Sequence, residues 1–179
     1  MKKYSFIFLS LILFGLFILG CATTRGGFLN PGFKDKNLSR VGVVKFSGPD
    51  VLSATVTDNF TVELFKLGYF DVFERHQIDK ILSEQGFSLT GATEEKARKS
   101  IGKLANLDAL FVGVVSAYPG AFGTTDINLS VKLIDIETGS LIYACSAKSD
   151  HALVMVGTLG EGIDVTISGI INDIRKHFR

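Results

Sequence analysis

The chain has 179 residues, 46% of them hydrophobic and 21% charged, with 19 Gly, 3 Pro, 2 Cys and no Trp, which is room for one domain with its own core. Nineteen Lys and Arg stand against 18 Asp and Glu, a formal charge of +1, so no broad basic field exists to hold nucleic acid and no acidic tail to hold basic partners. Two cysteines cannot supply a disulfide framework, and His76, His151 and His177 are not spaced like metal ligands; the composition argues against a disulfide scaffold, a zinc module and a nucleic-acid binder.

Mean hydropathy is +0.32, and the first twenty residues supply much of it. Met1-Lys2-Lys3 is a positively charged start, and the apolar run from Phe6 to Gly20 is about fifteen residues, short of the roughly 20 a membrane-spanning helix needs. Residues 1–20 read as an export signal. The run ends in Ile18-Leu19-Gly20-Cys21, which resembles the bacterial lipoprotein box, whose Cys is acylated and becomes the mature N-terminus. The resemblance implies lipidation of Cys21; an uncleaved anchor with an unmodified Cys21 and plain secretion are the other readings. Ala22, rather than Asp, follows Cys21, which in such lipoproteins implies sorting to the outer membrane, facing the periplasm or the cell surface. Cleavage before Cys21 removes Lys2 and Lys3 and no acid, so 19 less 2 leaves 17 basic residues against 18 acidic ones. An acylated Cys21 cannot pair with Cys145, which is then expected as a free thiol packed in a strand as a small hydrophobe. No neighbour in sequence supplies a His base or a helix N-terminus to activate it.

From Ala22 to Ser39 the chain holds Gly, Pro31 and charges without periodicity, so residues 21–39 read as a lipidated N-terminus and flexible tether. Fully stretched it spans about 60 Å. Residues 40–179 read as a single α/β (α+β) domain. Arg40 to Phe46 is a nearly continuous apolar run, expected as a strand inside the sheet. Leu52, Val56, Phe60, Leu64 and Leu67 mark a helix stopped by Gly68. Phe70 to Glu74 is a second strand. His76 to Gln85 is a helix with Ile78, Ile81 and Leu82 inward; Thr93-Glu94-Glu95 opens another, with Ala97, Ile101, Leu104 and Ala105 as its buried side. Asp108 to Val115 is a third apolar strand. Asn128 to Ile136 alternates, turns at Glu137-Thr138-Gly139-Ser140 and returns through Leu141, Tyr143 and Cys145 as an antiparallel hairpin. Gly157 to Gly162 reads as a loop. Ile163, Ile167, Ile170, Ile171, Ile174 and Phe178 close the chain as a helix. The expected architecture is a mixed sheet with helices packed against it, without internal repeats.

Val41 to Phe46, Gly68 to Arg75, Ile81-Leu82-Ser83-Glu84-Gln85, Leu107 to Val115 and Asp135-Ile136-Glu137-Thr138-Gly139 fall in an order that resembles the curli assembly/transport component (CsgG) family of outer-membrane lipoproteins. The most specific element is Glu74-Arg75 with Glu84-Gln85 about ten residues on. The same core is similar to that of the lipoprotein activators of penicillin-binding proteins, so the resemblance implies a superfamily more than one function. For the pore-forming members it implies two long amphipathic hairpins. A membrane strand needs about 9–11 residues, whereas here the first window is the charged Thr93 to Lys99 and the second only Pro119 to Asp126. A pore made by this chain alone is not expected.

Catalytic readings find little support in sequence. Glu74-Arg75-His76 gathers an acid, a base and an imidazole, but consecutive side chains point in different directions and suit solvated or ion-paired roles. Gly157 to Gly162 fits neither nucleotide-binding fingerprint, and Asp150-His151 is an isolated pair. The expectation is a protein that is not an enzyme and has no cofactor or metal: a lipid-anchored accessory or structural component of envelope assembly or export. It is expected to work through protein contacts, with a homo-oligomer possible. The rivals are an activator of peptidoglycan synthase, which would need a long arm, and a subunit of an oligomeric outer-membrane channel.

Overall fold

A computed structural model describes residues 22–34, 36–84, 94–120, 125–149 and 159–178. Six strands, β1 (Ala22–Leu29), β2 (Arg40–Val43), β3 (Asp71–Phe73), β4 (Ala109–Pro119), β5 (Thr125–Asp135) and β6 (Leu141–Ser149), make one open sheet in the order β1-β6-β5-β4-β2-β3. The helices are α1 (Asp50–Lys66), α2 (Arg75–Glu84), α3 (Glu95–Ala105) and α4 (Leu159–His177). β2 runs parallel to both β3 and β4, while β4-β5, β5-β6 and β6-β1 are antiparallel. The fold is the expected mixed-sheet α/β domain. The short apolar β2 is interior, as a strand covered on both faces must be.

Two cores lie on the two sides of the sheet. On one face Leu52, Val56, Phe60 and Leu64 of α1 and the isoleucines of α4 pack on Val41, Phe111, Leu129, Val131 and Tyr143. Each fully buried side chain of that size contributes about 1.5–3 kcal/mol. Aromatic rings run through this core: Phe46 to Phe60 at 5.3 Å, Phe60 to Phe111 at 5.5 Å, and Phe70 to Phe178 at 5.4 Å, the separations at which edge and face charge distributions attract. On the other face Ile78 of α2 and Ala97, Ile101 and Ala105 of α3 pack on Val44, Leu110 and Ile136.

The structure corrects several expectations. Residues 22–29 are not tether: they form β1, paired with β6 from Ala22 opposite Ser149 to Leu29 opposite Tyr143. A 3-10 turn over Pro31–Phe33 follows, capped by the Asn30 side chain, which accepts from the Gly32 amide at 3.0 Å. The segment hides from periodicity because its pairing is interrupted between Arg25 and Phe28, where Gly26-Gly27 breaks the alternation. Leu159 to Gly162 belong to the first turn of α4, not to a loop. Leu104 is 58% exposed, because α3 turns Arg98 and Gly102 toward the sheet instead. The Thr93 cap, the Asp150-His151 pair and residues 121–124 of the second hairpin window lie outside the described residues; Glu95 to Lys99 of the first window are the start of α3.

Candidate functional site

Cys21 lies outside the described residues, but Ala22 beside it is already in register with Ser149. The Ser149 hydroxyl in turn accepts from the Ile127 amide at 2.7 Å, so this end of the sheet is tied across three strands. A group attached at Cys21 would therefore join a folded edge strand directly.

Further along β1 the chain crosses a buried polar cluster. The Tyr143 hydroxyl donates to Asp173 Oδ2 at 2.7 Å, and His177 Nδ1 stands 3.4 Å from that same oxygen at the last turn of α4. Gly27 lies over them: a Cβ there would stand 1.8 Å from Asp173 Oδ2 and 2.8 Å from the Tyr143 ring. β1 can lie flat on α4 only because residue 27 has no side chain. Burial raises the Tyr143 phenol far above its ordinary range, and the neighbouring Cys145 and Asp173 push it the same way. Burial also raises the Cys145 thiol, which disfavours the thiolate that a nucleophile needs. Its place in β6, packed in the core, agrees with the sequence reading. The cluster is a fastening between sheet, α4 and β1.

A second polar cluster sits where β5 turns into β6. Asp135, fully buried, receives Lys36 on one carboxylate oxygen and the Thr138 amide and hydroxyl, at 2.7 and 2.8 Å, on the other. Burial pushes the Asp135 carboxyl up, yet the Lys36 ammonium and the two Thr138 donors outweigh it and hold it below the usual carboxylate range. Arg98 of α3 donates to the carbonyl oxygens of Asp135 and Ile136. Gly139, at φ 74, turns beneath the Arg98 guanidinium, where a Cβ would meet Nη2 at 2.9 Å. The Asp-Ile-Glu-Thr-Gly motif is thus a turn in which acid, hydroxyl and glycine each fill a geometric requirement. Asp108 does similar work at the start of β2, accepting the Ser39 and Arg40 amides at 2.8 Å each.

Of the sequence candidates, Glu74 and His76 do meet, 3.1 Å apart and both well exposed, as a surface ion pair of the solvated kind expected. Asp173, Arg98 and Gly27 were missed. Asp173 and Arg98 sit inside apolar helical stripes as charged residues turned inward, and that displacement is the signal that could have marked them.

These turn-forming motifs on an open mixed sheet, with helices on both faces, define the class of the protein. The profile of the family described as "Curli production assembly/transport component CsgG" matches residues 31–172, and the chain belongs to that family. Among solved structures it is similar to the PelC dodecamer from Paraburkholderia phytofirmans in space group P6, at 15% identity and TM-score 0.60 over 87% of this chain and 98% of that one. It is also similar to lipoprotein GNA1162 from Neisseria meningitidis, at 18% identity and TM-score 0.54 over 79% and 99%. The LpoB C-terminal domain from Salmonella enterica aligns at 14% identity and TM-score 0.46, over 65% and 86%. At these identities the likeness to solved structures is one of fold. No curated protein matches in sequence.

Proposed function

We propose that this protein is a non-enzymatic accessory component of envelope assembly or protein export. On this reading it is anchored by acylated Cys21 to the periplasmic leaflet of the outer membrane and works through protein contacts as a homo-oligomer. The observation that carries this reading is the family match over residues 31–172, which takes in the sheet from β2 to β6 and most of α4. Two features support it. The buried charged groups Asp135, Arg98 and Asp173 have partners that fasten turns and strands, a use that leaves them no reacting role. β1 starts one residue after Cys21, so a lipid there would draw the folded edge against the membrane. The PelC relative is described as a dodecamer, which supports self-association on this fold.

The peptidoglycan-synthase reading loses support for the same reason. Eight of the residues expected as an arm are tied into the sheet, the first of them next to Cys21, so they supply no reach toward a distant partner. Proximity labelling from the lipidated protein in intact cells tests the assignment. Export or assembly factors of the outer membrane are the expected neighbours; a labelled set dominated by inner-membrane synthases would overturn it.

A further inference from the structure

The two faces of the sheet are covered unequally. α1 and α4 pack along one face as far as β6, but on the other α2 and α3 cover only β2, β3, β4 and the end of β5. Beyond half-buried Val112, which still packs against the α2–α3 core, registers place Lys132, Ala144 and Phe28 in one row across the uncovered half and Val114, Ser130 and Ser146 in the next. Phe28 is 62% and Val114 56% exposed, and Lys132 stands exposed between them. Apolar area left open beside a cation on a sheet face is a surface with something missing from it.

The opposite side of the molecule carries a matching relief. The outer ridge of α1 exposes Val62 at 52% and Phe65 at 69%. Between α1 and α4 runs a cleft of about 410 Å³, floored by Ile167 and bordered by Val62, Glu63 and Asp164. Here the apolar side chains are accompanied by carboxylates, where on the bare half-sheet they are accompanied by Lys132. Among the described residues neither Lys132 nor Asp164 makes an ion pair, while Glu63 is paired with Lys66 of its own helix at 2.6 Å, so Asp164 is the carboxylate left to answer a lysine.

We infer that these two surfaces are the halves of one contact between copies of this chain: the α1 ridge of one copy covers the bare half-sheet of the next. Val62 and Phe65 lie on Val114 and Phe28, and Lys132 enters the α1–α4 cleft toward Asp164. A lysine suits that cleft, because its four-carbon stem packs on an apolar floor while the ammonium reaches the carboxylate at the mouth. Complementary charge fixes register and excludes wrong partners more than it adds affinity. Because the two patches differ and lie on opposite faces of one sheet, the contact is head-to-tail, and it forms a ring when its rotation closes. The inference rests on the self-association in the proposed function and names its surfaces.

The test uses the full lipidated chain in mild detergent, followed by sedimentation velocity over a range of concentrations. The variants are the ridge reversal Glu63→Lys with Asp164→Lys, and the sheet reversal Lys132→Glu. Thermal melts followed by circular dichroism confirm that each folds. Each variant alone is expected to sediment as a monomer where the wild type assembles. Mixed in equal amounts they should reassemble, since each then offers the other an opposite charge at both surfaces. Assembly unchanged in both variants would overturn this interface and leave self-association standing. A wild type that stays monomeric at every concentration would remove both.

Discussion

At Asp135 one carboxylate holds together a turn, the chain entering β2 and, through its own carbonyl, α3. Its acidity is lower in pKa than usual on balance, because Lys36 and Thr138 outweigh burial. The unfolded carboxyl therefore takes up its proton before the folded one does. The pairing adds stability above about pH 4 and loses it as the pH falls through the still lower folded value. Lys36→Met is expected to flatten the dependence of the urea midpoint on pH between about 5 and 2.5. Asp135→Asn should cost about 1–3 kcal/mol at neutral pH, from donors left half-satisfied. Midpoints whose slope with pH is the same in wild type and Lys36→Met would refute the role given to the pair. Cys145 offers a second test at this scale. Its thiol is buried and raised in pKa, so in the Cys21→Ser variant a thiol reagent should modify it only after denaturation; rapid native labelling would reopen a reactive role.

Among the elements, β1 is where the sequence reading and the structure part company. Glycines, a proline and charges without period describe a tether when neighbours in sequence are all that is considered. The backbone of residues 22–29 nonetheless finds the open edge of β6, and edge pairing asks little of side chains. What it does ask is room at residue 27, where any Cβ meets Asp173 and Tyr143. Gly27→Val should lift β1 from α4 while leaving the other five strands in place. Amide exchange over residues 22–29 should then rise by an order of magnitude or more, at a cost of about 1–3 kcal/mol in global stability. Unchanged protection of β1 would show that the glycine does not set the docking. The hairpin of β5 and β6, by contrast, is legible locally, since alternation and the Asp-Ile-Glu-Thr-Gly turn lie within one stretch of sequence.

For the whole molecule, the open sheet bears on membrane insertion. β1 and β3 are edges, and an edge exposed to lipid would leave backbone groups unsatisfied. No described helix is long and apolar enough to cross a membrane. We expect the Cys21→Ser chain, freed of residues 1–20, to purify without detergent and to leave planar bilayers silent. Discrete, reproducible conductance steps from the lipidated protein, together with aggregation of the detergent-free form, would instead promote the channel reading.

The order of elements, the interior place of β2 and the inward stripe of α1 follow from sequence alone, because a helix or strand buried on a known face must repeat its apolar residues at 3.6 or 2. The family motifs are likewise legible residue by residue. The tertiary structure decided what depends on distant partners. Asp173 is inward because Tyr143, thirty residues away, donates to it. Arg98 is inward because the turn at Asp135 offers it carbonyls, and that same turn makes α3 show Leu104 to solvent. Residues 22–29 are a strand because β6 has an unpaired edge. None of these causes lies within a window of neighbouring residues; each is a buried polar group or backbone edge that must find its partner across the fold.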